Sequence, residues 1–170
     1  MFRNTYITTV FIGFLFISLG TSYGQETIKK AIDKYNDHSI PYITVGALKE
    51  SSAVLLDARE KEEFDVSRLP DAFWVGYETF SLTHLENVPL KKDDPIVVYC
   101  AIGVRSEDVA KELKAAGYTN VKNLYGGIFQ WKNEGYDVVD ADGNTTEEVH
   151  AFSKQWGKLL TKAKKIYKLP

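Results

Sequence analysis

Ile96-Val97-Val98-Tyr99-Cys100-Ala101-Ile102-Gly103-Val104-Arg105-Ser106 is the stretch that decides the fold. Its first four residues form an unbroken β-branched and aromatic run, which reads as a strand buried on both faces, the kind found in parallel sheets. The run stops at a cysteine, and residues from Ser106 to Ala116 read as a helix that Gly117 ends. A strand, a tight loop and a helix N-terminus therefore converge on one sulfur. Outward from this point, four more short runs have the same character: Ile43-Thr44-Val45, Ala53-Val54-Leu55-Leu56, Ala72-Phe73-Trp74-Val75 and Val121-Lys122-Asn123-Leu124. Further helices are expected over Glu60–Val66 and over Ile128–Glu134, the latter stopped by Gly135. Strands alternating with helices predict an α/β fold: a mainly parallel five-stranded sheet flanked by helices.

Ligands gather at strand C-termini in open parallel sheets, and a helix N-terminus offers unpaired amides and partial positive charge. A loop curled around the Cys100 sulfur would turn its N–H groups inward as an anion nest, with Gly103 supplying a positive φ. Such a field predicts a thiolate that forms below the free value of about 8.5 and is nucleophilic without a dedicated base. Arg105 adds a planar cation suited to a bidentate oxyanion. Spacing alone is equally consistent with a buried cysteine and an Arg105 ion pair.

The segment Cys100-Ala101-Ile102-Gly103-Val104-Arg105-Ser106 resembles the active-site loop of the rhodanese family, Cys-x-x-Gly-x-Arg-Ser. Leu55-Leu56-Asp57-Ala58-Arg59-Glu60-Lys61-Glu62-Glu63-Phe64 with Leu69-Pro70-Asp71-Ala72 is similar to the family's upstream signature. Asn123-Leu124-Tyr125-Gly126-Gly127-Ile128-Phe129-Gln130-Trp131 resembles its downstream strand, glycine pair and tryptophan helix. The likeness runs from Ile43 to Val139. It implies a sulfurtransferase in which Cys100 accepts a sulfane sulfur from a small anionic donor such as thiosulfate, holds it as a persulfide, and yields it to cyanide, a thiol or a protein thiol. By the same resemblance the substrate-binding residues are Ala101, Ile102, Gly103, Val104, Arg105 and Ser106, with Arg105 orienting the donor. Asp57 and Arg59 would form a salt-bridged support, and no metal or organic cofactor is implied. Ala101 and Ile102 are apolar where many members carry polar or charged residues. Related cysteine phosphatases place one residue more between cysteine and arginine than the four present here, and the smaller cradle suits sulfur rather than phosphate. Another use of such a module is as a sulfur carrier or regulatory binding partner without free turnover.

The rest of the 170-residue chain frames this unit. A formal charge of −2 offers no general attraction to nucleic acid, and a single cysteine excludes disulfide frameworks and multi-cysteine metal sites. His38, His84 and His150 are not at metal-ligand spacing. Residues 1–24 order a basic Arg3, an apolar run over Ile7–Leu19 and a small, polar end at Gly24, the pattern of a signal peptide cut after Gly24. Export to a periplasmic or extracellular space is expected, with an uncleaved N-terminal membrane anchor as the alternative. Residues 25–41 are expected to form a helical extension, with Ile28, Ala31, Ile32 and Tyr35 on one face, and residues 42–143 the domain proper. Residues 144–170 read as an amphipathic helix whose face carries Val149, Phe152, Trp156, Leu159, Leu160, Ala163, Ile166 and Tyr167. Residues 145–170 carry +4 against −7 for residues 25–144, so the helix is expected to dock on the domain rather than on a membrane. The sequence leaves the oligomeric state open.

Overall fold

The computed structural model describes the backbone of residues 18–168 and the side chains from residue 27 onward. In chain order the core elements are α1 (Ser18–Tyr35), β1 (Tyr42–Ile43), α2 (Val45–Lys49), β2 (Val54–Asp57), α3 (Lys61–Val66), β3 (Phe73–Trp74), β4 (Ile96–Tyr99), α4 (Arg105–Ala115), β5 (Val121–Leu124) and α5 (Gly127–Asn133). The five strands form one sheet in the order β1-β5-β4-β2-β3, and every pairing is parallel. Strand β4 lies at its centre, all four residues buried, which is why this run contains no polar alternation. Its side chains serve opposite faces in turn. Val97 and Tyr99 join a core with Ile28 and Ile32 of α1, Leu48 of α2 and Phe129 of α5, while Ile96 and Val98 join one with Val109 and Leu113 of α4.

Two expected strands are shorter than their runs: β3 keeps only Phe73 and Trp74 of Ala72–Val75, and β1 stops at Ile43. Thr44 in Ile43-Thr44-Val45 leaves the sheet because its Oγ1 accepts the Ala47 N–H at 3.2 Å, capping α2, so Val45 opens a helix instead. The apolar run that begins the expected leader lies, up to residue 17, outside the described residues, and residues 18–24 are the first turns of α1. Among the described residues no helix is long and apolar enough to cross a membrane.

The amphipathic helix expected over 144–170 does not form. The chain instead makes β7 (Thr145–Thr146) antiparallel to β6 (Val138–Val139), then β8 (Glu148–His150), a 3-10 turn (Trp156–Leu159) and β9 (Lys164–Ile166), which pairs parallel with β8. Val149 and Ala151 are both 0% exposed, a period of two that a helix would send to opposite sides. Asn133 at the end of α5 fixes the following loop: its Oδ1 accepts from Thr161 N at 2.6 Å and Thr161 Oγ1 at 2.9 Å, and its Nδ2 donates to Leu159 O at 2.7 Å. These long-range bonds override local periodicity. Leu159 and Leu160 are buried in the same core as α1, so the segment does pack on the domain. Phe152, expected on the buried face, is 48% exposed.

Candidate active site

Cys100 follows the last residue of β4 and is 1% exposed, with the N-terminus of α4 ahead of it. The Gly103 N–H donates to Cys100 Sγ at 3.2 Å. Gly103 adopts φ +95°, and a Cβ there would stand 3.1 Å from the Leu124 carbonyl oxygen, so the crown of the loop requires glycine. Its carbonyl accepts from two amides, Asn36 Nδ2 and Asn123 Nδ2, both at 2.8 Å. Ser106 Oγ lies 2.8 Å from Asn123 Oδ1 and 3.5 Å from Sγ. A hydroxyl has one proton, and the shorter contact claims it. The sulfur thus has one well-placed amide donor and a second, weaker neighbour.

The first turn of α5 holds the loop from the other side. Ile128 N–H donates to Cys100 O and Phe129 N–H to Ala101 O, each at 3.0 Å. These bonds pair two carbonyl oxygens of the loop with amides of α5. A Cβ on Gly127 would stand 2.2 Å from Cys100 O, so only glycine lets α5 approach this closely.

Arg105 does not present a free fork. It binds Glu63 of α3 through both terminal nitrogens, at 2.7 and 3.0 Å, and the Glu63 side chain is only 2% exposed. A carboxylate buried so deeply needs a counter-ion, and the cation expected to clasp a substrate oxyanion supplies it. Burial alone would push the Glu63 carboxyl up, but the Arg105 guanidinium bonded to it more than reverses this and holds it below the usual carboxylate range. His150 Nδ1 lies 4.0 Å from Glu63 Oε1, and burial outweighs that carboxylate's pull, keeping the imidazole pKa below its ordinary value. Asp57 and Arg59 are both 0% exposed and form a bidentate pair, from which Arg59 also donates to Ser67 O at 2.6 Å. They brace the β2–α3 connection and have no surface to offer a substrate.

Above the sulfur opens a cavity of about 310 Å³, on which Cys100, Ala101, Ile102, Val104 and Arg105 all border. Gly103 and Ser106, expected to touch substrate, are instead buried around the sulfur. Sequence reading missed Glu63, Asn36 and Asn123, together with Tyr35, Phe152 and Trp156, which also border the cavity. Asn123 carried a signal: a fully buried amide inside an apolar strand must have partners.

Residues 44–134 match the family model of the rhodanese-like domain. Among curated relatives, the chain is 33% identical over 99 residues to the thiosulfate sulfurtransferase GlpE of Actinobacillus succinogenes, covering 56% of this chain and 84% of that one. It is 32% identical over 104 residues to the adenylyltransferase and sulfurtransferase UBA4 of Meyerozyma guilliermondii, covering 58% of this chain. The match spans only 24% of that relative, and 28% and 20% of its counterparts from Candida albicans and Ogataea parapolymorpha. The solution structure of a rhodanese-like domain from an Anabaena protein superposes with a TM-score of 0.53 at 24% identity, over 59% of this chain and 79% of that one, a likeness of fold.

Proposed function

The chain belongs to the rhodanese-like family, and from that premise we propose that it is a sulfurtransferase whose Cys100 carries a sulfane sulfur from an anionic donor of the thiosulfate type to a thiophilic acceptor. The observation that carries the reading is the Gly103 N–H at 3.2 Å from Sγ, in a loop whose carbonyls at Cys100 and Ala101 are tied back to α5. An amide N–H directed at the sulfur is suited to stabilise the sulfur anion that forms during transfer. The relative named for thiosulfate supports the donor class.

In the first half-reaction the Cys100 thiolate attacks the outer sulfur of the donor. A new S–S bond forms as the donor's own S–S bond breaks, and the electron pair leaves on sulfite. In the second, an acceptor thiolate or cyanide attacks the outer sulfur of the persulfide and the pair returns to Cys100. Arg105, locked to Glu63, holds the end of the loop in register rather than gripping the donor.

Incubation of the protein with thiosulfate should add the mass of one sulfur atom, and cyanide should remove it with release of thiocyanate. No mass gain overturns the reading. A persulfide that neither cyanide nor free thiols discharge would instead indicate a carrier serving a dedicated protein partner.

The basic, apolar and small-residue order of residues 1–24 supports export as part of the same reading. A cut after Gly24 falls within α1 yet leaves Ile28, Ala31 and Ile32 in the core. Sequencing the N-terminus of protein recovered from its host tests this, and an intact leader in the membrane fraction favours an anchor.

A further inference from the structure

Glu63 faces two basic groups, one at the end of the sulfur loop and one from the C-terminal segment. Its Oε1 accepts from Arg105 Nη2 at 3.0 Å, and the same oxygen lies 4.0 Å from Nδ1 of His150 on β8. Strand β8 lies beyond residues 44–134, so this imidazole is no part of the matched domain. All three side chains are largely buried, His150 at 12% exposed, Arg105 at 16% and Glu63 at 2%.

His150 Nδ1 is an acceptor here, because the Phe152 N–H donates to it at 3.3 Å. An imidazole nitrogen that accepts carries no proton, so the ring is neutral with its proton on Nε2. The bond holds Phe152 at φ 59°, a left-handed backbone that a bulky side chain resists. The Phe152 ring then borders the cavity and lies 4.9 Å from the Arg105 guanidinium carbon. Neutral His150 thus goes with a seated Phe152 and with Arg105 closed on Glu63.

Protonation reverses each of these. A proton on Nδ1 meets the Phe152 N–H head on and needs an acceptor, and Glu63 Oε1 is the carboxylate oxygen beside it. A charged hydrogen bond to that oxygen competes directly with Arg105 Nη2. The other charges facing the ring are Glu62 of α3, which favours the proton, and Arg59 and Arg105, which oppose it. Burial outweighs both carboxylates and keeps the imidazole below its ordinary 6.5, so the change falls on the acid side of that value. Arg105 Nη1 keeps Glu63 Oε2 at 2.7 Å and has Glu60 Oε1 at 3.9 Å, so loss of Oε1 frees Nη2 alone.

We propose that His150 is a positioning residue for Arg105: when protonated it draws Glu63 Oε1 away from Nη2, and the freed edge of the guanidinium turns to an oxyanion held above Cys100. The proposal rests on the reading of Cys100 as the sulfur-carrying nucleophile, and that oxyanion is the donor's. One proton enters from water and no covalent bond changes. Among the described residues Arg105 is the only cation bordering the cavity, so an anion there has no other positive side chain to meet. At higher pH the fork is closed and Arg105 serves the loop alone.

The test compares two alkylating reagents of one shape, iodoacetate and iodoacetamide, on Cys100 from about pH 8 to about pH 5, a range that brackets histidine titration. Each rate is divided by that of the same reagent with N-acetylcysteine. Both reagents need the thiolate, so their ratio cancels its titration and reports how well the site receives a carboxylate. The ratio of iodoacetate to iodoacetamide should rise at least about fivefold as pH falls, the low end of ordinary coupling between sites. His150→Asn, whose Oδ1 keeps an acceptor for Phe152, and His150→Gln should both hold the ratio low and flat. Glu63→Gln should raise it already at the alkaline end and so remove the step. A flat wild-type ratio overturns the proposal. So does a rise that survives both His150 substitutions, which assigns the step to Glu60. Mass gain from thiosulfate, followed on the same protein, separates the two claims. Gain with a flat ratio overturns the proposal alone, and no gain at any pH overturns the reading of Cys100 and the proposal with it.

Discussion

The sulfur has a floor and a roof, and they are built on opposite principles. The floor is backbone: a glycine amide, carbonyls tied to α5, and the buried Ser106–Asn123–Gly103 network, in which each polar group has a partner at 2.8–3.2 Å. The roof is side chain, with Tyr35 54% and Phe152 48% exposed. A floor made from peptide groups at the end of a fully buried strand leaves little freedom to substitute, because any change leaves a buried dipole unpaired. A roof of half-exposed rings tolerates exchange. The groups that touch the sulfur and the rings that border the cavity therefore belong to separable parts of one site.

Four substitutions or conditions break or sharpen that contrast, from the largest effect downward. Cys100→Ser should abolish the one-sulfur mass gain outright while circular dichroism and melting temperature stay near wild type, since the hydroxyl fits the space but cannot form a persulfide. Gly127→Ala should be next. Its new methyl group, at the 2.2 Å position from Cys100 O, must push α5 off the loop, with an expected loss of roughly 3 kcal/mol in denaturant unfolding and a slower sulfur uptake.

Asn123→Ala should cost roughly 1–3 kcal/mol, because it leaves Ser106 Oγ without its acceptor and Gly103 O with Asn36 alone. If uptake by Cys100 is unchanged in that variant, the polar network supports the fold but not the chemistry.

The smallest effect is on pH. His150 is lowered from its ordinary value of 6.5, so the fold opposes its protonation; the associated stability is present above that value and eroded as pH falls below it. Glu63 is lowered from 4.5, so its contribution is full above that value and is lost as pH falls through the folded value. Melting temperature should therefore fall in two stages on acidification. His150→Gln should remove the upper stage alone, and an unchanged upper stage would show that another group causes it.

The floor was largely legible in the sequence and the roof was not, for a physical reason. Ile96–Tyr99 and Val121–Leu124 announce themselves because burial on both faces demands apolar residues locally, and the Cys100–Ser106 loop is contiguous. Gly103 O, by contrast, depends on Asn36, 67 residues away, and nothing in the Asn36 neighbourhood encodes that partnership. The closure of Arg105 on Glu63 is likewise a contact across 42 residues, so the sequence shows a cation at the end of the loop but not its partner. Residues 145–168 deceived by coincidence. Their spacing fits a helix, but Val149 and Ala151 obey the shorter period of a strand whose mate, β9, lies beyond an intervening turn.

The parallel pairing of β8 with β9 has a consequence in time. During synthesis Cys100 and its loop emerge well before Lys164–Ile166, and domains begin to fold from the N-terminal side. The sheet, α4 and α5 can surround the sulfur before β9 exists to hold the Phe152–Trp156 segment in place. The young chain thus passes through an interval in which the sulfur has its floor but not its roof. The roof is the last part of the site to close.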